Sequence, residues 1–323
     1  MQRPEITRSD VNLRLFIDTN VLIDYVEQFD ERKSKTFIEL FRKNNFDNIE
    51  LITSDYVLWE FYGHFKDELY IRKLVNDHNY GHIGANRECR RGDFRKASLE
   101  DMKTMGDTIE SYVEQFEENP LSVQRLINRE LHHFSDMTEA ILRCSKFSYK
   151  DTIVFVSALF TRSHIIITLD ETFSSERHLE VLKEALKDLK TTLEPFGLPI
   201  DIEFCKPTDF SSENSVKKNF KAWFLKNNRN KQLGKVINVW PKRNVLGIQC
   251  LRNFSINLGD YLCLTKFVKG IDFRMKIFEV TEGNLRDYDT NQEIIKGSKV
   301  TVKLPLGIKC EPWQEAMVFL YSG

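Results

Sequence analysis

An α/β domain built on a parallel sheet, followed by a small all-β module, is the fold that the sequence predicts. Three observations carry it. Short apolar runs alternate with helical patterns from Leu13 to Phe204. Two of those runs stop abruptly on an aspartate, Asp18 and Asp170. Beyond Pro207 the pattern changes to brief strands separated by turn residues.

Residues 1–12 form a polar lead-in. Leu13–Ile17 reads as a buried strand closed by Asp18, and Val21, Leu22 and Ile23 then resume at helical spacing, with Tyr25, Val26 and Phe29 on the same helix. A second helix follows over Lys35–Phe41 and a second strand over Ile49–Thr53. Ser54 caps a helix over 56–65, in which Glu60 stands among bulky apolar neighbours, where a glutamate is seldom buried without a partner. From Asn76 to Lys96 the periodicity fades, and Gly81, Gly84 and Gly92 predict a loop.

Ser98 and Asp101 form a capping box for a helix carrying Met102, Met105, Ile109, Val113 and Phe116. After Pro120 helical spacing restarts through Leu121, Leu131 and Phe134, and a short helix follows at about 138–145. Ser148–Phe160 is a strongly apolar helix running into the strand His164–Asp170. A helix over Glu176–Leu193 and a closing strand over Pro199–Phe204 complete the pattern. The first domain therefore spans 1–210, its sheet flanked by helices, with a helical insertion at about 74–147.

Residues 211–232 read as a basic helical connector whose Val216, Phe220, Trp223 and Phe224 share one face. Strands at Gly234–Trp240, Leu246–Leu251, Asp260–Leu264, Phe273–Val280 and Lys299–Leu304 make 233–323 a small all-β barrel domain.

The chain of 323 residues has room for two domains, and 41% hydrophobic residues with a net charge of −1 describe a globular protein rather than a disordered one. Six cysteines without a Cys-x-x-Cys pair exclude a zinc ribbon and fit isolated thiols in a reducing compartment. The N-terminus lacks a signal peptide's apolar core, and no apolar run approaches the ~20 residues that span a bilayer, so the expectation is a cytoplasmic protein without a membrane partner. Glu60 and His64 lie one turn apart, a spacing that can bind metal, but His64 reads as a packed or solvent-edge histidine.

Four acids occupy comparable positions: Asp18 and Asp170 at strand ends, Glu60 and Asp151 on helices beside the same sheet edge. In isolation Asp18 caps a helix and Asp151, three residues after Ser148, completes a capping box. Clustered carboxylates repel one another, and a hard divalent cation such as Mg²⁺ resolves the conflict while attracting phosphate oxygens.

These residues resemble the PIN-domain nucleases. The likeness lies in Phe-Ile-Asp18-Thr-Asn20-Val-Leu-Ile-Asp24, Ser54-Asp-Tyr-Val-Leu-Trp-Glu60, Asp151-Thr-Ile-Val-Phe-Val-Ser-Ala-Leu and Ile-Ile-Thr168-Leu-Asp170-Glu-Thr-Phe173, and it extends over roughly residues 12–210. It implies Mg²⁺- or Mn²⁺-dependent endonucleolytic cleavage of RNA, leaving a 5′-phosphate and a 3′-hydroxyl. Asp18, Glu60, Asp151 and Asp170 would be the metal-binding acids. Asn20 and Thr168 would orient them or the attacking water; Asp24 and Glu171 read either as outer contributors or, equally well, as solvated helix positions. The 91 residues between Glu60 and Asp151 exceed what a compact PIN domain needs. The C-terminal module looks like the β-barrel of translation elongation factors, in Gly234-Lys-Val, Leu258-Gly-Asp260 and Ile295-Lys-Gly-Ser-Lys-Val-Thr-Val.

Two basic stretches would position RNA. Arg87, Arg90, Arg91, Arg95 and Lys96 outnumber two acids in one, and ten Lys or Arg between Lys206 and Arg243, among them Lys217, Lys218, Lys221 and Lys226, face only Asp209 and Glu213 in the other. The barrel would bind RNA, a ribosome or another ribonucleoprotein. The rival readings are a PIN-fold RNA or ribosome adaptor with little catalysis, and the toxin nuclease of a toxin–antitoxin pair. A phosphatase of the haloacid-dehalogenase type needs a second Asp two residues after the first, where Asn20 stands.

Overall fold

The computed structural model describes residues 12–27, 33–44, 46, 48–92, 94–117, 121–124, 131–145, 147–174, 202–267, 273–281, 284 and 293–321, with positions 180, 182, 184 and 187. The chain divides into two compact units, Leu13–Ser211 and one built on Ser212–Gly323.

In the first unit, β1 (Leu13–Ile17), β2 (Ile49–Ser54), β3 (Leu121–Gln124), β4 (Ile165–Ile167) and β5 (Glu203–Cys205) form a parallel sheet in the order β3-β2-β1-β4-β5. β1 is central, with Leu15 opposite Leu51 on one side and Ile165 on the other. Helices cover both faces of such a sheet, so its strands read as unbroken apolar runs rather than alternating ones, and Leu15, Phe16, Ile17, Ile166 and Ile167 are all fully buried.

The helices are α1 (Thr19–Glu27), α2 (Lys33–Lys43), α3 (Asp55–His78), α4 (His82–Cys89), α5 (Leu99–Glu117), α6 (Leu131–Cys144), α7 (Tyr149–Phe160) and the single turn α8 (Glu171–Ser174). Ser54 caps α3 through Val57 N–H, and the helix ends where Asn79 takes a left-handed conformation. Ser98 and Asp101 cap α5 as the sequence predicts.

Three stretches differ from the sequence reading. α3 continues through the expected break at 76, because Tyr70 and Leu74 extend its buried face and pack with Ala85, Cys89 and Met105. The expected loop at 76–96 holds α4, whose face supplies Ala85 and Cys89 to that cluster. Leu121–Gln124 is a strand on the sheet edge rather than a helical restart, with Leu121 opposite Leu51. Part of the expected insertion thus belongs to the sheet. The expected helix over 176–193, the start of the strand at 199–204 and Phe29 lie largely or wholly outside the described residues.

In the second unit α9 (Glu213–Asn227) precedes β6 (Gln232–Trp240), β7 (Val245–Cys250), β8 (Phe254–Ser255), β9 (Tyr261–Phe267), β10 (Phe273–Glu279), β11 (Glu293–Ile294), β12 (Lys299–Lys303) and β13 (Met317–Tyr321). Six strands form an antiparallel sheet in the order β10-β9-β13-β6-β7-β12, and β8 pairs with β11. Among the described residues the edge strands β10 and β12 do not pair, so an antiparallel sheet is shown and not a closed barrel. β13, absent from the sequence reading, sits in the middle. α9 packs its apolar face on this sheet, with the Phe224 ring 5.0 Å from Phe319 and edge-on to it.

Gly234 is required by close backbone approach. A Cβ there would run into the Gln249 carbonyl oxygen and lie 2.8 Å from Ile248 Cγ2. Gly234→Ala should therefore destabilise this unit by about 1–3 kcal/mol, as overpacking does, seen as a lowered urea midpoint. An unchanged midpoint would show that β6 and β7 can separate without penalty.

Candidate active site

The strand order reverses at β1: the chain steps outward through β2 and β3, then returns to lay β4 on the other side. In open α/β sheets the crevice at the carboxyl ends of the two strands flanking such a reversal is where ligands bind. Asp18 directly follows β1 and Thr168 directly follows β4. The Asp18 N–H donates to Ile167 O at 3.1 Å, so the ladder itself locks the two strand ends together.

Asp18 is only 4% exposed. Thr168 Oγ1 donates to its Oδ2 at 2.6 Å and Thr19 N–H to its Oδ1 at 2.6 Å. Thr168 Oγ1 in turn accepts from Asn20 Nδ2 and from Asp170 N–H, each at 3.0 Å, which fills a hydroxyl's one donor and two acceptor positions. Asn20 Oδ1 accepts from Leu169 N–H at 3.0 Å. Asn20 thus fixes Thr168, and Thr168 fixes the Asp18 carboxylate.

Glu60, half-buried on α3, accepts from Thr19 Oγ1 at 2.9 Å through Oε2 and pairs with Lys150 Nζ at 2.9 Å through Oε1. Lys150 is largely exposed, so that pair is weak. Asp151 completes the capping box of α7, accepting from Ser148 N–H at 3.1 Å. Burial pushes the Asp18 carboxyl up to about 7; the Thr168 and Thr19 hydrogen bonds pull it down, and the charges of Glu60 and Asp151 push it further up. Among the described residues no Lys, Arg or His forms an ion pair with Asp18.

Asp170 lies half-buried two residues beyond Thr168. No three of the four predicted acids bring ligand atoms within 4.8 Å of one another; among the described residues Glu27, His64 and Glu68 do. The donor set at Asp18 nevertheless suits Mg²⁺ or Mn²⁺. It is made of hard oxygens, no cation among the described residues pairs with the buried carboxylate, and Mg²⁺ needs only one or two carboxylates because it keeps most of its waters.

The two expected outer contributors each have a partner within the chain. Asp24 is buried and accepts from Ser34 N–H at 3.3 Å, tying α1 to α2, while exposed Glu171 pairs with Lys206 Nζ at 3.1 Å. Several of the basic residues are engaged within the chain. Arg91 pairs with Glu88 at 2.8 Å, Lys217 pairs with Glu213, and Lys221 Nζ lies 5.2 Å from the centre of the Phe267 ring. Arg87, Arg90 and Arg95 are exposed on α4 and the turn after it, and Lys218 and Lys226 ride on α9.

Sequence reasoning passed over the residues that shape the space beside Glu60. A cavity of about 540 Å³ is lined by Ile23, Tyr56, Trp59, Glu60, Tyr149 and Lys150 among others. Trp59 and Tyr149 are 55% and 64% exposed, unusual for residues of that size. Trp59 preceding Glu60 and Tyr149 preceding Lys150 were the available signals.

The fold and this crevice define a mixed α/β protein, a five-stranded parallel sheet flanked by helices and accompanied by an antiparallel sheet. No protein-family model and no curated protein matches the chain. Among solved structures it is similar to VapBC2 from Rickettsia felis bound to a DNA fragment from their promoter, at 12% identity and a TM-score of 0.31, covering 50% of this chain and 92% of that one. It is also similar to the C-terminal domain of a putative U32 peptidase from Geobacillus thermoleovorans, at 18% identity and a TM-score of 0.19, covering 29% of this chain and 94% of that one. At those scores neither neighbour bears on what this chain does. Among the described residues no helix is long and apolar enough to cross a membrane.

Proposed function

We propose that the Leu13–Ser211 unit is a divalent-cation-dependent endoribonuclease with Asp18 at its centre. The observation that carries this is a buried carboxylate at the sheet's reversal point, held by two hydrogen bonds, near two other carboxylates and, among the described residues, without a cationic partner. A stability-driven core would place an apolar side chain there, since an isolated buried carboxylate is costly. Asp18, with Glu60, Asp151 and Asp170 around it, would hold Mg²⁺ or Mn²⁺, which when bound offsets the acids' repulsion and favours ionisation of a water.

Thr168 and Asn20 would keep the Asp18 carboxylate oriented toward the ion, and Thr19 holds Glu60. Lys150 provides an exposed cation that a phosphate could draw from Glu60. Water attacks phosphorus, the bond to the 3′-oxygen breaks, and that oxygen takes up a proton to leave a 3′-hydroxyl and a 5′-phosphate. Exposed Arg87, Arg90 and Arg95 and the lysines of α9 would contribute phosphate contacts, and the C-terminal unit would bind RNA or a ribonucleoprotein.

Purified full-length protein with Mn²⁺ should cut labelled RNA, and Asp18→Asn should not. Equal cutting by both would assign the activity to a contaminant and end the proposal. Trp59 and Tyr149 would stack bases next to the crevice. Trp59→Ala is therefore expected to weaken single-stranded oligonucleotide binding by about 1–3 kcal/mol in a fluorescence titration, with the melting temperature unchanged because the ring is half in solvent. Undiminished affinity would place the strand elsewhere.

A further inference from the structure

We propose that Glu27, His64 and Glu68 form a second cation site, for a Zn²⁺-class transition-metal ion, joining the end of α1 to the middle of α3. His64 Nε2 lies 3.3 Å from Glu27 Oε1 and 3.9 Å from Glu68 Oε2, and the three ligand atoms all fall within 4.8 Å of one another. Ligands about 2.0–2.2 Å from a tetrahedral zinc stand roughly 3.4 Å apart, so two of the three edges need only small side-chain rotations. One imidazole with two carboxylates suits zinc better than Mg²⁺, which takes oxygen donors.

A second observation concerns the Glu68 carboxylate. Glu68 Oε2 is sealed from solvent and accepts no hydrogen bond, although carboxylate oxygens are strong acceptors. Its neighbour is the Glu27 carboxylate, itself an acceptor and only 8% exposed. Two acceptors facing each other away from water need a proton or a cation between them.

The surroundings complete a ligand cage. Arg72 holds the other oxygen of Glu68, leaving Oε2 turned toward His64, as outer partners of metal ligands do. His64 is 41% exposed, which gives an ion a path in and leaves a position for water. Glu60, the sequence-level partner of His64, instead faces Thr19 and Lys150. His64 also lines the cavity beside Glu60, and the cluster links the two helices that carry Thr19 and Glu60.

The test uses full-length Asp18→Asn protein, in which the crevice is disabled and this cluster is intact. Calorimetric titration with ZnCl₂ should show one ion per chain, and Zn²⁺ should raise the melting temperature. Adding His64→Gln, or separately Glu27→Gln, should weaken binding at least about 100-fold and remove the thermal shift, both variants being checked for an unchanged far-UV spectrum. Co²⁺ should give visible absorption bands that His64→Gln alters. The proposal is overturned if Asp18→Asn protein binds no Zn²⁺, or if it binds equally well with His64 or Glu27 replaced. Neither result would touch the nuclease reading, which is decided by RNA cleavage.

Discussion

Asp18→Asn should abolish RNA cleavage and, at pH 8 without divalent cations, make the protein more stable. The loss of activity is expected to reach roughly three orders of magnitude, about 4 kcal/mol of transition-state stabilisation, because the charge that would hold the cation is removed. The gain in stability follows from linkage. Asp18 titrates near 3.8 when unfolded and near 7 when folded, so between those values the folded state binds more protons. Its contribution to stability is therefore highest below about pH 4, is lost as pH rises toward 7, and stays lost above that. The full difference approaches about 4 kcal/mol, reduced in the variant because the new amide must face Thr168 Oγ1, whose acceptor positions Asn20 and Asp170 already fill. Melting curves should show Asp18→Asn several degrees above wild type at pH 8, the gap closing near pH 4. Mg²⁺ should raise wild type alone. A variant less stable than wild type at pH 8 would mean that the carboxylate is a structural asset and not a ligand.

Phe224→Ala should be the most damaging single change in the C-terminal unit. Its ring is fully buried, edge-on to Phe319 and Phe267 and stacked near Phe220, so truncation leaves a cavity costing about 3–5 kcal/mol. The companion experiment concerns fragments. A chain starting at Ser212 should fold cooperatively, whereas one starting at Leu233 loses α9 and exposes the apolar face it covers. Equal stability of the two fragments would return residues 211–232 to the status of a connector.

That α9 packs on the sheet illustrates what the sequence can and cannot convey. The shared face of Val216, Phe220, Trp223 and Phe224 is legible from spacing alone, but spacing is silent about which surface the face meets. Asp18 and Asp170 stood out because each ends an apolar run with a charge. The hydrogen-bonded order Asn20 to Thr168 to Asp18 follows from β1 and β4 being neighbours, a pairing across 150 residues that no local pattern encodes. Leu121–Gln124 was misread because four residues cannot separate a helical period from a strand, and tertiary pairing with β2 decided it. His64 was read with Glu60 because both share α3. Its actual neighbour Glu27 comes from α1, reached only once the helices pack.

The placement of β13 has a consequence for how the C-terminal unit is made. Met317–Tyr321 wedges between β9 and β6, strands that precede it by some fifty to eighty residues, so neither acquires its full set of partners until β13 has been synthesised. A premature stop or a proteolytic nick ahead of Met317 would not merely shorten the protein. It would convert the interior of one sheet into two raw margins, each open to pairing with another molecule.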